Sequence, residues 1–236
     1  MVIALNVFQE QKDLKDKKRY NEGYRLVGNH SAVKVCAYCK KAITGKDVCY
    51  KNTFYGIESW RCVQMSPTFF CDHRCVFCWR DIDYVWPKWQ GTVDDPKEIV
   101  DGCIKAHIEL LQGFKGNDKA IEGRLKDMGK PLHFAISLTG EPTMYPRLPE
   151  MIDYIKEKGM TAFLVTNGTI PDMVEKLVEH QPTQLYVSVY GCNKEMHQRT
   201  ANPITPDAWE RLNKSLSMMN KFNRNVMRLT LVRGFN

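Results

Sequence analysis

Cys71-Asp72-His73-Arg74-Cys75-Val76-Phe77-Cys78 sets three cysteines in a C-x3-C-x2-C array, directly behind the apolar-leaning run Met65 to Phe70. Soft thiolates at this spacing can wrap one metal centre from a single loop. Three of them suit an iron–sulfur cube that keeps one iron open. An open iron is a place for chemistry. The same residues permit a zinc reading, in which Cys36-x2-Cys39 joins Cys75-x2-Cys78 to supply four thiolates. That pairing leaves Cys71 without a role.

Upstream of the loop, Gln9 to Arg19 is rich in Lys, Asp and Glu, with few apolar anchors, and reads as a solvated helix or a loose arm. From Tyr24 to Cys62, Gly, His, Asn and aromatic residues are scattered with neither a 3.6 nor a 2 period, so we expect an irregular, ligand-stabilised region. Cys36, Cys49 and Cys62 follow one another at intervals of thirteen residues. Backbone with few apolar residues needs another source of order, and a metal centre can supply it. Three small buried thiols are the bland alternative, and spacing alone does not decide between the two.

Downstream, helical and extended patterns alternate. Pro96 to Leu111 carries a helical stripe of Ile99, Val100, Cys103, Ile104, Ala106, Ile108 and Leu111, with Asp94 and Asp95 as cap candidates. Gly113 to Lys130 is polar and glycine-punctuated, a loop with room for a short helix. His133 to Leu138, Ala162 to Thr166, Leu185 to Tyr190 and Val226 to Val232 read as strands, and Arg147 to Lys158, Pro171 to Glu179 and Pro206 to Asn220 as helices. With the strand near Met65 this makes five strands. The alternation predicts an α/β fold, a parallel sheet with outer helices, open or barrel-shaped.

The 236 residues suffice for one α/β barrel domain. Lys and Arg number 34 against 27 Asp and Glu, and the net charge of +7 suits a polyanionic partner. The N-terminal segment has no apolar stretch long enough for a signal peptide, and no run reaches the length of a membrane span. The nine cysteines are therefore expected to be reduced and the protein cytoplasmic.

The C-x3-C-x2-C loop with an aromatic before its last cysteine resembles the signature of the radical S-adenosylmethionine (SAM) enzymes. The even cysteine triplet ahead of it narrows the resemblance, as do the stretches Gly28 to Lys34, Gly45 to Lys51, Phe54 to Ile57, Arg61 to Met65 and Cys78-Trp79-Arg80. From Tyr24 to the end, the chain is similar to the tRNA 4-demethylwyosine synthase family of the wybutosine pathway. This resemblance implies a partial (β/α)6 barrel at residues 63–236, truncated after strand five, behind an N-terminal extension at 1–62.

The resemblance also implies a site. Cys71, Cys75 and Cys78 would hold a 4Fe–4S cluster whose open iron chelates SAM, with Phe77 bordering the adenine. Ligands of such barrels gather at the C-terminal strand ends. There Thr139-Gly140-Glu141-Pro142 resembles the family's Gly-Gly-Glu motif, with Glu141 taking the SAM ammonium and Gly140 admitting the cofactor to the backbone. Taken alone, the segment is a turn before a proline. Thr166 and Asn167 are polar contact candidates after strand three, Ser188 on strand four a ribose ligand, and Asn236 closes the fifth strand end. Cys36, Cys49 and Cys62 would hold a second 4Fe–4S cluster, and Lys51 would condense with pyruvate. A lysine must be neutral to attack a ketone, and without the resemblance nothing selects Lys51 over Lys46 or Lys40.

The implied reaction starts with an external flavodoxin or ferredoxin, since the chain has no room for the flavodoxin-like domain fused in eukaryotic relatives. Reductive SAM cleavage gives a 5′-deoxyadenosyl radical, which takes hydrogen from the methyl of 1-methylguanosine in phenylalanine tRNA. Addition to lysine-held pyruvate, loss of its carboxyl carbon and ring closure give 4-demethylwyosine. Arg61, Arg74, Arg80, Trp86, Lys88 and Trp89 are candidate RNA contacts, although Asp81 to Trp89 reads equally as a lid. An activase-like radical SAM enzyme and a zinc-stabilised RNA-binding module, with Cys39 as a spare ligand, are the competing readings.

Overall fold

The computed structural model describes residues 16–80 and 85–236. Among them, one sheet runs in the order β1 (Tyr24–Val27), β2 (Ser31–Lys34), β3 (Cys62–Ser66), β4 (His133–Ile136), β5 (Thr161–Thr166), β6 (Gln184–Val189) and β7 (Asn225–Leu229). Strands β1 to β3 pair antiparallel and β3 to β7 parallel. The parallel set is the five strands expected from the sequence, and the α/β class holds.

Eight α-helices join the strands among the described residues. These are α1 (Ala37–Ile43) and α2 (Tyr50–Tyr55) before β3, then α3 (Pro96–Leu111) and α4 (Glu122–Asp127) before β4. α5 (Leu148–Glu157) precedes β5, α6 (Pro171–Lys176) precedes β6, and α7 (Lys194–Ala201) and α8 (Ala208–Ser217) precede β7. Asp95 caps α3 as expected, accepting from the Lys97 amide at 2.8 Å, with Pro96 in the first turn. Asp94 instead accepts from the backbone and side-chain N–H groups of Asn29, both at 2.6 Å, and so ties the β1–β2 turn to the start of α3.

Two expectations are corrected. The stretch 24–62 is not irregular: it holds β1, β2, α1 and α2, elements of four to seven residues, too short to show a period and ordered by pairing with β3. Helix α7 was not foreseen, because its residues are polar and only His197, Thr200 and Ala201 are buried, although Asn193 caps it by accepting from the Met196 amide at 2.9 Å. The charged segment 9–19 lies outside the described residues up to 15, and its remainder is part of a helical stretch at 16–21.

The period-two alternation of the strands divides the molecule. Val63 and Met65, Phe134 and Ile136, Ala162 and Leu164, and Leu185 and Val187 point to the helix side, where they meet Leu148, Met151, Ile152 and Ile155 of α5 in one core. Each such buried Val, Leu, Ile, Met or Phe side chain contributes about 1.5–3 kcal/mol. The residues between them, Cys62, Gln64, Ala135, Ser137, Val165, Arg228 and Thr230, line a cleft on the opposite face. No helix among the described residues is long and apolar enough to cross a membrane.

Candidate active site

The cleft encloses about 700 Å³ and extends past the C-terminal ends of the parallel strands. Both cysteine trios line it. Cys71, Cys75 and Cys78 come from the loop after β3, while Cys36, Cys49 and Cys62 come from three separate elements. Lys51 lines the same cavity. All six thiols are free.

The loop trio is fixed from within. Asp72 is buried, and its carboxylate accepts from the Asn167 amide at 2.6 Å and the Thr169 hydroxyl at 2.5 Å, which clamps the loop to the turn after β5. Backbone bonds from Arg74 to Asn202 and from Val76 to Thr200, both 3.0 Å, dock its other side on the end of α7. Phe77 packs against Tyr190 at 5.1 Å between ring centroids.

The upstream trio sits where secondary structure begins. Cys36 occupies the cap position of α1, its sulfur accepting from the Cys39 amide at 3.2 Å. Cys49 precedes α2, with Ser59 bonded to both its amide and its sulfur. Cys62 opens β3. Lys51, in the first turn of α2, is 7% exposed, with its ammonium 5.0 Å from the Phe163 ring centre and 5.7 Å from that of Tyr186. Gly56 ends α2 at φ 69° in the left-handed region, allowing its amide to return to the helix.

Burial pushes the Cys62 and Cys75 thiols up to about 12, Cys71 well above its ordinary value, and Cys36 upward. Protonated thiols of this kind become thiolates only beside a compensating cation, which an iron centre supplies. The donor set thus fits thiolate-held clusters. Among the described residues no three His, Cys, Asp or Glu side chains converge as a single ion requires. The pairing of Cys36 and Cys39 for zinc has no support in placement: Cys39 is buried outside the cleft, its thiol pointing to the Trp60 carbonyl at 3.8 Å.

The family model of the Radical SAM superfamily matches residues 65–236. The chain belongs to the radical SAM superfamily. It is 42% identical over 218 residues to the S-adenosyl-L-methionine-dependent tRNA 4-demethylwyosine synthase of Pyrococcus abyssi, covering 90% of this chain and 64% of that protein. It is 43% identical over 218 residues to the enzyme of the same name from Pyrococcus horikoshii, with the same coverage. A solved structure of TYW1 with a lysine-pyruvate adduct bound superposes with a TM-score of 0.83 at 35% identity, covering 96% of this chain and 72% of that one. The chain thus spans just under two thirds of the length of the archaeal curated relatives it matches. Membership in the radical SAM superfamily implies a 4Fe–4S cluster and SAM.

Against that radical SAM frame, the expected SAM ligands divide. Glu141 is buried and lines the cleft. Its Oε1 accepts from the Thr143 amide and from the hydroxyls of Thr143 and Thr166, both at 2.6 Å. Oε2 accepts only the Asn167 amide at 2.7 Å among the described residues and keeps a lone pair for an ammonium. Burial pushes this carboxyl up to about 7 against the hydrogen bonds that lower it. Gly140 (φ 64°) lines the cleft, but the close approach it serves is internal, because a Cβ there would stand 2.4 Å from the Thr68 carbonyl. Asn167 reaches the cleft. Pro142, Thr166 and Ser188 are buried behind its wall, and Asn236 bonds the Tyr190 and Thr230 carbonyls outside it.

The RNA candidates divide too. Arg61 is committed to the Lys130 carbonyl and Glu58, and Trp89 packs on His30 and Phe70, so both half-buried side chains are engaged within the fold. Arg74, Trp86 and Lys88 are exposed, and Arg80 and Val85 line the cleft. Residues 81–84 of the proposed lid lie outside the described residues, whereas the Trp86 amide bonds the Cys71 carbonyl at 2.9 Å. Sequence reasoning missed Asp72, Tyr190 and Arg228, which donates to Ser188 at 3.0 Å. Asp72 had a signal, a charged residue inside a buried loop motif; the other two had none.

Proposed function

We propose that this chain carries the catalytic core of a tRNA-modifying radical SAM enzyme, which joins 1-methylguanosine of phenylalanine tRNA to pyruvate and yields 4-demethylwyosine. The observation that carries the reading is the convergence of two cysteine trios and a buried lysine on one cleft. The printed names of the two Pyrococcus relatives and the lysine-pyruvate adduct of the solved TYW1 support it.

In this reading Cys71, Cys75 and Cys78 hold the SAM-cleaving cluster, which when bound supplies the electron for homolysis. Glu141 Oε2 takes the methionine ammonium, Asn167 and Phe77 flank the nucleoside, and Gly140, Pro142, Thr166, Ser188 and Asn236 shape the wall that bears them. Cys36, Cys49 and Cys62 hold a second cluster. Lys51 adds through its amine to the pyruvate carbonyl, and water leaves as the imine forms. Lys51 is buried against an aromatic floor formed by Phe163 and Tyr186, which holds its side chain at the cleft. We divide the chain into an N-terminal cluster-binding extension at 1–62 and a radical SAM part at 63–236, whose strands β3 to β7 are five strands of a six-stranded partial barrel. The electron donor is a flavodoxin or ferredoxin, and the compartment is the cytoplasm.

The decisive experiment is borohydride reduction of the reconstituted protein with pyruvate, followed by peptide mapping. A carboxyethyl group should appear on Lys51 and be absent from Lys51→Arg, because a guanidinium does not lose its proton. Mapping of the adduct to another lysine refutes the reading of Lys51.

A further inference from the structure

The mouth of the cleft carries a braced indole. Trp79 follows the last cysteine of the loop and lines the cavity, yet it is 76% exposed. The Arg80 guanidinium lies 3.4 Å from its ring centre. Arg80 is held in turn, donating to the Tyr24 hydroxyl at 2.6 Å, and Tyr24 is rooted in a buried cluster with Ala32 and Leu138. One face of the indole is therefore backed by a fixed cation, and among the described residues the other is open. Single exposed aromatic residues need no explanation, but a ring immobilised from behind at the rim of a reaction cleft does.

Across the rim the pattern repeats. Tyr38 and Tyr50 are 44% and 49% exposed and line the same cavity, and Lys41 stands 5.0 Å from the Tyr38 ring centre. Cations stacked on open aromatic rings present a flat, positively charged surface. An unstacked nucleobase with its phosphate complements that surface, since every base has a π-face and arginine planes and aromatic rings are its usual supports. The chain's net charge of +7 has the matching sign.

We propose that the open face of Trp79 is the stacking platform for the target base of the RNA substrate, with Arg80 as the positioning residue that holds the indole flat. The inference rests on the tRNA reading above and assigns the contact that receives the base once it leaves its stack, one residue from the Cys78 thiol.

The test is a cycle of affinities with the reconstituted chain, using two anticodon stem-loop RNAs that differ only at the target position, 1-methylguanosine in one and an abasic site in the other. Trp79→Ala should weaken binding of the intact RNA by roughly 10- to 100-fold, the range of one base–aromatic stack, and that of the abasic RNA by less than about twofold. Trp79→Phe should restore most of the loss, because a benzene ring still stacks. Equal losses on both RNAs, as expected if Trp79 docks a protein donor or only supports the loop, overturn the platform while leaving the tRNA reading intact. No loss on either RNA also overturns it. Failure of the unaltered protein to bind either RNA overturns both.

Discussion

The two cysteine trios reach one cleft by opposite routes. Cys71, Cys75 and Cys78 share an eight-residue loop whose only buried carboxylate, Asp72, ties it to the turn after β5. Cys36, Cys49 and Cys62 are delivered by the start of α1, the residue before α2 and the first position of β3, so their geometry belongs to the tertiary fold. A contiguous trio can be preorganised by a few hydrogen bonds. A dispersed trio is only as ordered as the packing of the elements that carry it, which for Cys36 is the α1 cluster of Val35, Cys39, Ile43, Leu111 and Met128.

The comparison can be broken in several places. The largest expected effect is on SAM cleavage: Cys75→Ala should lower 5′-deoxyadenosine formation by at least about 10³-fold, as for loss of an essential catalytic component. Cys49→Ala should lower it far less, and a reversed order would exchange the roles of the two trios. Next in size is Gly140→Ala, whose Cβ would meet the Thr68 and Phe70 carbonyls beneath the loop. It should destabilise the protein by more than about 3 kcal/mol in urea titration. Asp72→Ala leaves the Asn167 side-chain N–H without its acceptor and the Thr169 hydroxyl with only the Asn167 Oδ1 to donate to, and should cost about 2–3 kcal/mol. The smallest effect belongs to the dispersed trio, where Ser59→Ala removes one acceptor from the Cys49 amide and should cost about 1 kcal/mol. A larger loss for Ser59→Ala than for Asp72→Ala would mean that the contiguous loop is not the locally braced site.

The same contrast governs what could be read from the chain. The loop motif is local, so Cys71, Cys75 and Cys78 announce themselves, and the 2- and 3.6-residue periods of 96–232 reveal the parallel strands and most of their helices. The upstream trio has no local logic. An interval of thirteen between Cys36, Cys49 and Cys62 is visible in the sequence but has no geometric meaning until α1, α2 and β3 fold together, and only the family resemblance favoured ligands over three buried thiols. Lys51 was hidden for the same reason, since its surroundings, Phe163 and Tyr186, lie more than a hundred residues away on β5 and β6. Glu141 was legible as an acceptor, but not the three residues that hold it: Thr143, Thr166 and Asn167 meet it across two strand ends. Gly140 was legible as a required glycine for a different reason from the one found, because a sequence does not reveal which backbone will press against it.

Two separate clusters facing one cleft is the central claim, and iron counting tests it most directly. After anaerobic reconstitution with iron and sulfide, the unaltered chain should bind about eight irons, and the Cys71, Cys75 and Cys78 triple alanine variant about four, the complement of one cube. The Cys36, Cys49 and Cys62 triple alanine variant should also retain about four. Iron falling to background in the loop variant, with the unaltered chain at four, would contradict the second cluster and leave a single-centre enzyme.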